Sequence, residues 1–89
     1  RIELGEIEAV VSGHPEVKGC ACVFDQQIAL FYTADHDLDL STYLRDKLPA
    51  YMIPSHIMRE EQFQLNVNGK IDRLVLKAKL KELKHNLKS

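Results

Sequence analysis

Leu4, Ile7, Val10 and Val11 recur at the three- and four-residue spacing that lines one side of a helix. Glu3, Glu6 and Glu8 crowd its start, where carboxylates offset the positive end of the helix dipole, and Gly13 and Pro15 stop it. Val17 to Phe24 then reads as a strand, with Cys20, Cys22 and Phe24 on one face and Ala21 and Val23 on the other, so both faces are expected to be buried. The break Asp25-Gln26-Gln27 is short enough for a hairpin, and Ile28 to Thr33, rich in β-branched and aromatic residues, is its partner strand. After a polar loop from Asp35 to Asp39, Leu40, Tyr43, Leu44 and Leu48 line a second helix that Asp39 can cap and Pro49 must limit. Tyr51-Met52-Ile53-Pro54 leads into an extended stretch, Ser55 to Phe63, and Asn66 to Lys70 is a turn marked by its Asn-Gly pair. From Arg73 onward Leu76, Leu80, Leu83 and Leu87 follow helical intervals and predict a final amphipathic helix. The elements add up to a single compact α+β subdomain, a small sheet (hairpin plus a further short strand) packed with about three helices.

Composition narrows the picture. The chain has 89 residues, 45% hydrophobic and 28% charged, which suits one small core. A domain of this size has a stability on the order of 5 to 10 kcal/mol. The longest apolar runs, such as Ile28 to Tyr32, are far shorter than a membrane span, so no membrane partner is expected. A net charge of -1 argues against a general nucleic-acid binder, although residues 66 to 89 carry seven basic and two acidic side chains against five and eleven in residues 1 to 65. Lys77, Lys79, Lys81, Lys84 and Lys88 read as the solvated face of the last helix. Cys20 and Cys22 lie side by side on one strand face, poorly placed to close a disulfide, and read as buried free thiols of a reducing, cytoplasmic compartment. No metal site is expected, because His14, His36, His56 and His85 lack the paired spacing of zinc ligands. Position 1 is Arg, with no secretory signal behind it, and the chain reads as a piece of something longer.

One place looks built for chemistry. Asn68-Gly69-Lys70 puts a lysine at the rim of a tight turn just ahead of a helix, where it can present a compact positive charge to a phosphate or carboxylate. Taken on the residues alone, Lys70 reads first as an ordinary surface lysine, Asp72 as a helix-start acid and Arg73 as a surface or ion-paired base. No Walker loop, nucleophile elbow or His-rich metal helix accompanies them.

Three segments stand in the order and spacing of one family: Arg1-Ile2-Glu3-Leu4-Gly5-Glu6-Ile7-Glu8, Leu48-Pro49-Ala50-Tyr51-Met52-Ile53-Pro54 and Asn68-Gly69-Lys70-Ile71-Asp72-Arg73. Together they resemble the last three core motifs of nonribosomal peptide synthetase adenylation domains, in the superfamily that also holds acyl-CoA synthetases and luciferases. The resemblance implies that residues 1 to 89 are the C-terminal subdomain, a mobile lid, without the large N-terminal subdomain it works against. It implies a catalytic role for Lys70, bridging substrate carboxylate and ATP, with Asn68 and Gly69 in the turn close to substrate. A positioned ammonium suits a step in which negative charge gathers between two anions. It further implies that Arg1, Ile2, Glu3, Leu4 and Gly5, in a segment running to Glu8, face the same active site after the lid rotates and help form the channel for a phosphopantetheine thiol. Tyr51 and Pro54 are expected to shape the scaffold. The implied cofactors are ATP and Mg2+ in the full-length enzyme, with none bound by this chain alone, which is expected to be inactive. The implied partners are the N-terminal adenylation subdomain and a phosphopantetheinylated carrier protein.

The approach to the turn departs from the family's L-P-L-T wording: in Phe63-Gln64-Leu65-Asn66, Gln64 and Asn66 replace Pro and Thr, an exchange expected to loosen the loop while leaving Lys70 in register. Two alternatives stay open, the lid of an acyl-CoA synthetase and a noncatalytic module whose basic last helix docks on an acidic carrier protein.

Overall fold

A computed structural model of the protein describes residues 3–88, with side chains as far as His85. Helix α1 spans Leu4–Ser12, strands β1 and β2 span Gly19–Phe24 and Ile28–Thr33, helix α2 spans Leu40–Arg45, strand β3 spans His56–Glu60 and helix α3 spans Arg73–Lys88. A single 3-10 turn, Ala50–Met52, lies between α2 and β3. The α+β expectation holds: the strands form one sheet in the order β1-β2-β3, with β1 and β2 antiparallel and β3 parallel to β2.

The sheet is covered on both faces because its strands are apolar on both. On one side Ile7 and Val11 of α1 and Leu40 and Leu44 of α2 bury against Cys22, Leu30 and Tyr32. On the other Leu76 and Leu80 of α3 bury against Ala21, Val23, Ala29 and Phe31. Small alanines under α3 let that helix approach the sheet closely. The connection from β2 to β3 has to return to the far end of the sheet to make a parallel pair, and α2 with the 3-10 turn supplies that crossover.

Several expected boundaries move, and β2 explains two of them. Gly19 and Glu60 both pair with Thr33, the last residue of β2, so β1 begins at Gly19 rather than Val17 and β3 ends at Glu60 rather than Phe63. Before Gly19 only a single backbone bond, from Lys18 N–H to Thr33 O, extends the ladder. Phe24 was expected inside and is 45% exposed, since it stands at the hairpin end. Helix α2 stops at Arg45, and Leu48 is buried from the turn that follows, its N–H bonded to Leu44 O. Asp39 caps α2 as expected, and the Thr42 hydroxyl and N–H hold its carboxyl below the usual carboxylate range. The lysines of α3 are less uniformly solvated than their pattern suggested: Lys79 pairs with Glu60, and Lys84 donates to Asp25 O at 2.7 Å. Leu87 and Lys88, by their side chains, lie outside the described residues.

Both cysteines are free thiols. Cys22 is buried, and burial, then the Glu8 carboxylate, pushes its thiol up to about 12. Cys20 is only half-buried, with its sulfur 3.5 Å from Ser12 Oγ and Glu8 O. Among the described residues no helix is long and apolar enough to cross a membrane.

Candidate functional site

The Lys70 turn is a short hairpin closed by its own chain. Leu65 and Ile71 form an antiparallel bridge, Asn66 N–H donates to Lys70 O at 2.7 Å, and Gly69 N–H donates to Asn66 O at 2.9 Å. Val67 and Asn68 form its bend, and Gly69 takes the left-handed conformation, φ 80°, that a side chain would strain. The Asn66 side chain holds the inside of the loop, its Oδ1 accepting from the N–H groups of Asn68 at 2.9 Å and Lys70 at 3.1 Å. Asn66 was expected to loosen this loop; instead it organises it. Gln64 also takes part, through its carbonyl, which accepts from Asp72 N–H at 2.9 Å.

What the turn presents is an exposed lysine whose ammonium makes no ion pair or hydrogen bond among the described residues. Leu65, Val67 and Leu74, close to it in the chain, are exposed, and Asn66, Asp72 and Arg73 lie along the same loop, so the surface mixes apolar and polar side chains. An open concavity of about 770 Å³ runs along the loop, lined by Leu65, Gly69, Lys70, Ile71 and Arg73 among others. A rigid turn, a free ammonium and exposed apolar side chains are the features of a surface that meets a partner carrying an anion.

Asp72 and Arg73 fix the turn to the rest of the fold. Asp72 accepts from Leu74 N–H at 3.1 Å and Val75 N–H at 3.4 Å, capping α3 as its position suggested. Arg73 forms a two-armed pair with Glu8, with Nη1 2.7 Å from Oε2 and Nη2 3.3 Å from Oε1. The same Glu8 Oε2 accepts from Cys22 N–H at 2.7 Å, and Arg73 Nη1 donates to Cys22 O at 3.2 Å. Two side chains thus occupy the free edge of β1 where another strand would pair. Glu8 was expected to serve the helix dipole; its carboxylate is instead committed to this contact, and Glu6 is the acid in the first turn. The signal was in the spacing: Glu8 falls four residues after Leu4 and three before Val11, on the inward flank of α1, where a carboxylate needs a partner.

The other expected site residues lie at the start of α1. Glu3 is its N-cap position, without a side-chain cap bond, and Leu4 and Gly5 form its first turn. Among the described residues a β-carbon on Gly5 would meet nothing within 4 Å, so none of them requires a glycine there. Arg1 and Ile2 lie outside the described residues. No hydrogen bond or ion pair joins Glu3, Leu4 or Gly5 to Lys70 among the described residues; the two candidate surfaces are linked through Glu8 and Arg73.

Comparison with known proteins identifies the family. The family described as AMP-binding enzyme C-terminal domain matches residues 6–70, from within the first motif to the lysine itself. The chain belongs to that family. This C-terminal domain is 39% identical over 87 residues to the dimodular nonribosomal peptide synthase of Bacillus subtilis, a match covering 88% of the chain and 4% of that protein. It superposes with a TM-score of 0.80 at 31% identity on Klebsiella oxytoca NpsA in complex with 3-hydroxyanthranilyl-AMSN, covering 90% of the chain and 18% of NpsA. A holo four-domain nonribosomal peptide synthetase bound to AMP and glycine gives a TM-score of 0.71 at 34% identity, over 82% of the chain and 6% of the synthetase. The likeness to the C-terminal subdomain of peptide synthetase adenylation domains, within the adenylate-forming superfamily, is borne out. The chain spans only a small part of each of these relatives.

Proposed function

We propose that residues 1 to 89 form the lid of an amino-acid-activating enzyme, which joins an amino acid to ATP as an aminoacyl-adenylate and passes the acyl group to a carrier-protein thiol. The observation that carries this reading is the Lys70 turn, an ammonium without an ion pair among the described residues, held on a hydrogen-bonded loop beside exposed apolar side chains. In the first step the carboxylate oxygen attacks the α-phosphorus of ATP, a new O–P bond forms, and pyrophosphate leaves with the electrons of the broken bond. Charge gathers between carboxylate and phosphate as they meet, and Lys70 stabilises it there; Asn66 and Gly69 fix the loop that aims it. The exposed Leu65, Val67 and Leu74 exclude water as they pack on the large subdomain, which strengthens the ammonium's field. In the second step the lid turns and the start of α1 faces the adenylate, where Gly5 leaves room for the phosphopantetheine arm; its thiolate attacks the acyl carbon, a C–S bond forms, and AMP leaves with the electrons of the broken acyl C–O bond.

ATP and Mg2+ are the cofactors of this reading, the metal ion entering with the nucleotide phosphates. The partners are accordingly the large N-terminal subdomain and a phosphopantetheinylated carrier protein. The likeness to peptide synthetases favours an amino acid over a fatty acid as substrate.

The test is amino-acid-dependent exchange of labelled pyrophosphate into ATP by the full natural protein that carries this chain, with and without Lys70→Ala. Exchange should fall by about three orders of magnitude in the variant, while acyl transfer from a supplied adenylate survives. Equal loss of both steps would refute the assigned role of Lys70, and exchange supported only by fatty or aryl acids would favour an acyl-CoA synthetase.

A further inference from the structure

We propose that Glu8 and Arg73 are positioning residues: their ion pair, closed over the Cys22 peptide at the sheet edge, locks the first helix and the Lys70 turn into one rigid body. The inference rests on the function proposed above, because it concerns how the lid's two working surfaces keep their relative placement while the lid turns.

Four bonds build the clasp. Two join guanidinium to carboxylate at 2.7 and 3.3 Å, and one from each side chain reaches the Cys22 peptide, at 2.7 Å to Glu8 and 3.2 Å to Arg73. The Glu8 side chain is only 22% exposed, against 49% for Arg73, so its charge is shielded from solvent and the pair is screened less than an open surface pair. The partners stand 65 residues apart in the chain, and their helices pack on opposite faces of the sheet. Burial of Ile7 and Val11 holds α1 to one face, and burial of Leu76 and Leu80 holds α3 to the other. The clasp reaches around the β1 edge and ties the two layers to each other.

Arg73 is also close to the lysine in the chain. Only Ile71 and Asp72 separate it from Lys70; Ile71 is bridged to Leu65, and Asp72 N–H is bonded to Gln64 O. A displacement of Arg73 is therefore passed to the turn through a short, hydrogen-bonded segment. A misplacement of about 1 Å at a reacting group can cost a hundredfold in rate, so a modest loosening is expected to show in turnover.

The experiment compares Arg73→Lys, Arg73→Met, Glu8→Gln and the double Glu8→Gln/Arg73→Met in the full natural protein. Arg73→Lys keeps the charge and loses the two-armed geometry; Arg73→Met keeps only the apolar stem. Hydrogen–deuterium exchange read by mass spectrometry should be about tenfold faster over residues 64 to 72 in the Arg73 variants, with the central strand, residues 28 to 33, protected as before. Pyrophosphate exchange should lose about tenfold in kcat with KM for ATP and amino acid within about twofold, and the double variant should be no worse than Arg73→Met, as for groups that act as a unit. Unchanged protection over residues 64 to 72 in folded Arg73→Lys and Arg73→Met proteins, or additive losses in the double variant, would overturn the proposal. If neither amino acids nor other carboxylic acids support pyrophosphate exchange in the folded full protein, the adenylation reading fails by itself, and protection of the turn still decides the clasp; exchange that survives Lys70→Ala overturns the role of the lysine alone.

Discussion

Replacing Gly5 by alanine separates stability from function, because the two should move in opposite directions. Gly5 lies in the first turn of α1 at a backbone conformation open to any residue, and an added β-carbon meets nothing within 4 Å. The substitution therefore introduces no clash among the described residues and removes part of the conformational freedom the unfolded chain holds. A helix-interior Gly→Ala exchange is worth about 1 kcal/mol, and the first turn, whose N–H groups lack intrahelical partners, returns about half of that. For a domain of this size about 0.5 kcal/mol raises Tm by roughly 2 to 4 °C. Thermal denaturation of the 89-residue chain followed by circular dichroism reads the first arm; acyl transfer to the carrier protein by the full natural enzyme, with pyrophosphate exchange beside it, reads the second. On the function proposed above, transfer should fall at least tenfold with exchange within about twofold, since the β-carbon would then intrude on the pantetheine arm. A lowered Tm would refute the claim that none of the described residues needs a glycine at position 5. A raised Tm with unimpaired transfer would refute the placement of Gly5 along the thiol's path.

Two further outcomes follow from the core. Leu80 is fully buried in the smaller cluster, opposite Ala21 and Ala29, which cannot expand to refill the space, so Leu80→Ala should cost about 3 kcal/mol in urea denaturation; a loss under about 1 kcal/mol would mean that α3 is not anchored there. Cys22 should resist a thiol reagent at pH 8 until the domain unfolds, while half-buried Cys20 reacts sooner. Because the folded thiol sits near 12, its contribution to stability is complete below the ordinary cysteine value of about 8.5 and is lost as pH rises toward 12, so the alkaline unfolding midpoint should shift upward in Cys22→Ala if that variant folds, and an unshifted midpoint would refute the link.

Much of the fold was legible along the chain because its signals are local. The helical spacing of Leu4, Ile7, Val10 and Val11, the six-residue strand Ile28–Thr33, the Asp39 cap and the glycine turn before Lys70 each depend on residues within a few positions of one another. Strand ends were less legible, since Val17 and Phe63 suit an extended chain but lack a residue of β2 to pair with. Asn66 was misjudged for a related reason: its value lies in two hydrogen bonds inside a loop, which composition does not display.

The elements, the apolar character of both sheet faces and the motif that places Lys70 on a turn can be read along the chain, because helix period, strand alternation and turn chemistry are properties of short segments. Only the tertiary structure decided that β3 lies parallel to β2, that Asn66 braces the turn, and that Glu8 closes over Cys22 to meet Arg73. Those contacts join residues far apart in the chain. They form because a sheet edge leaves peptide groups to be satisfied and a half-buried carboxylate must find its cation.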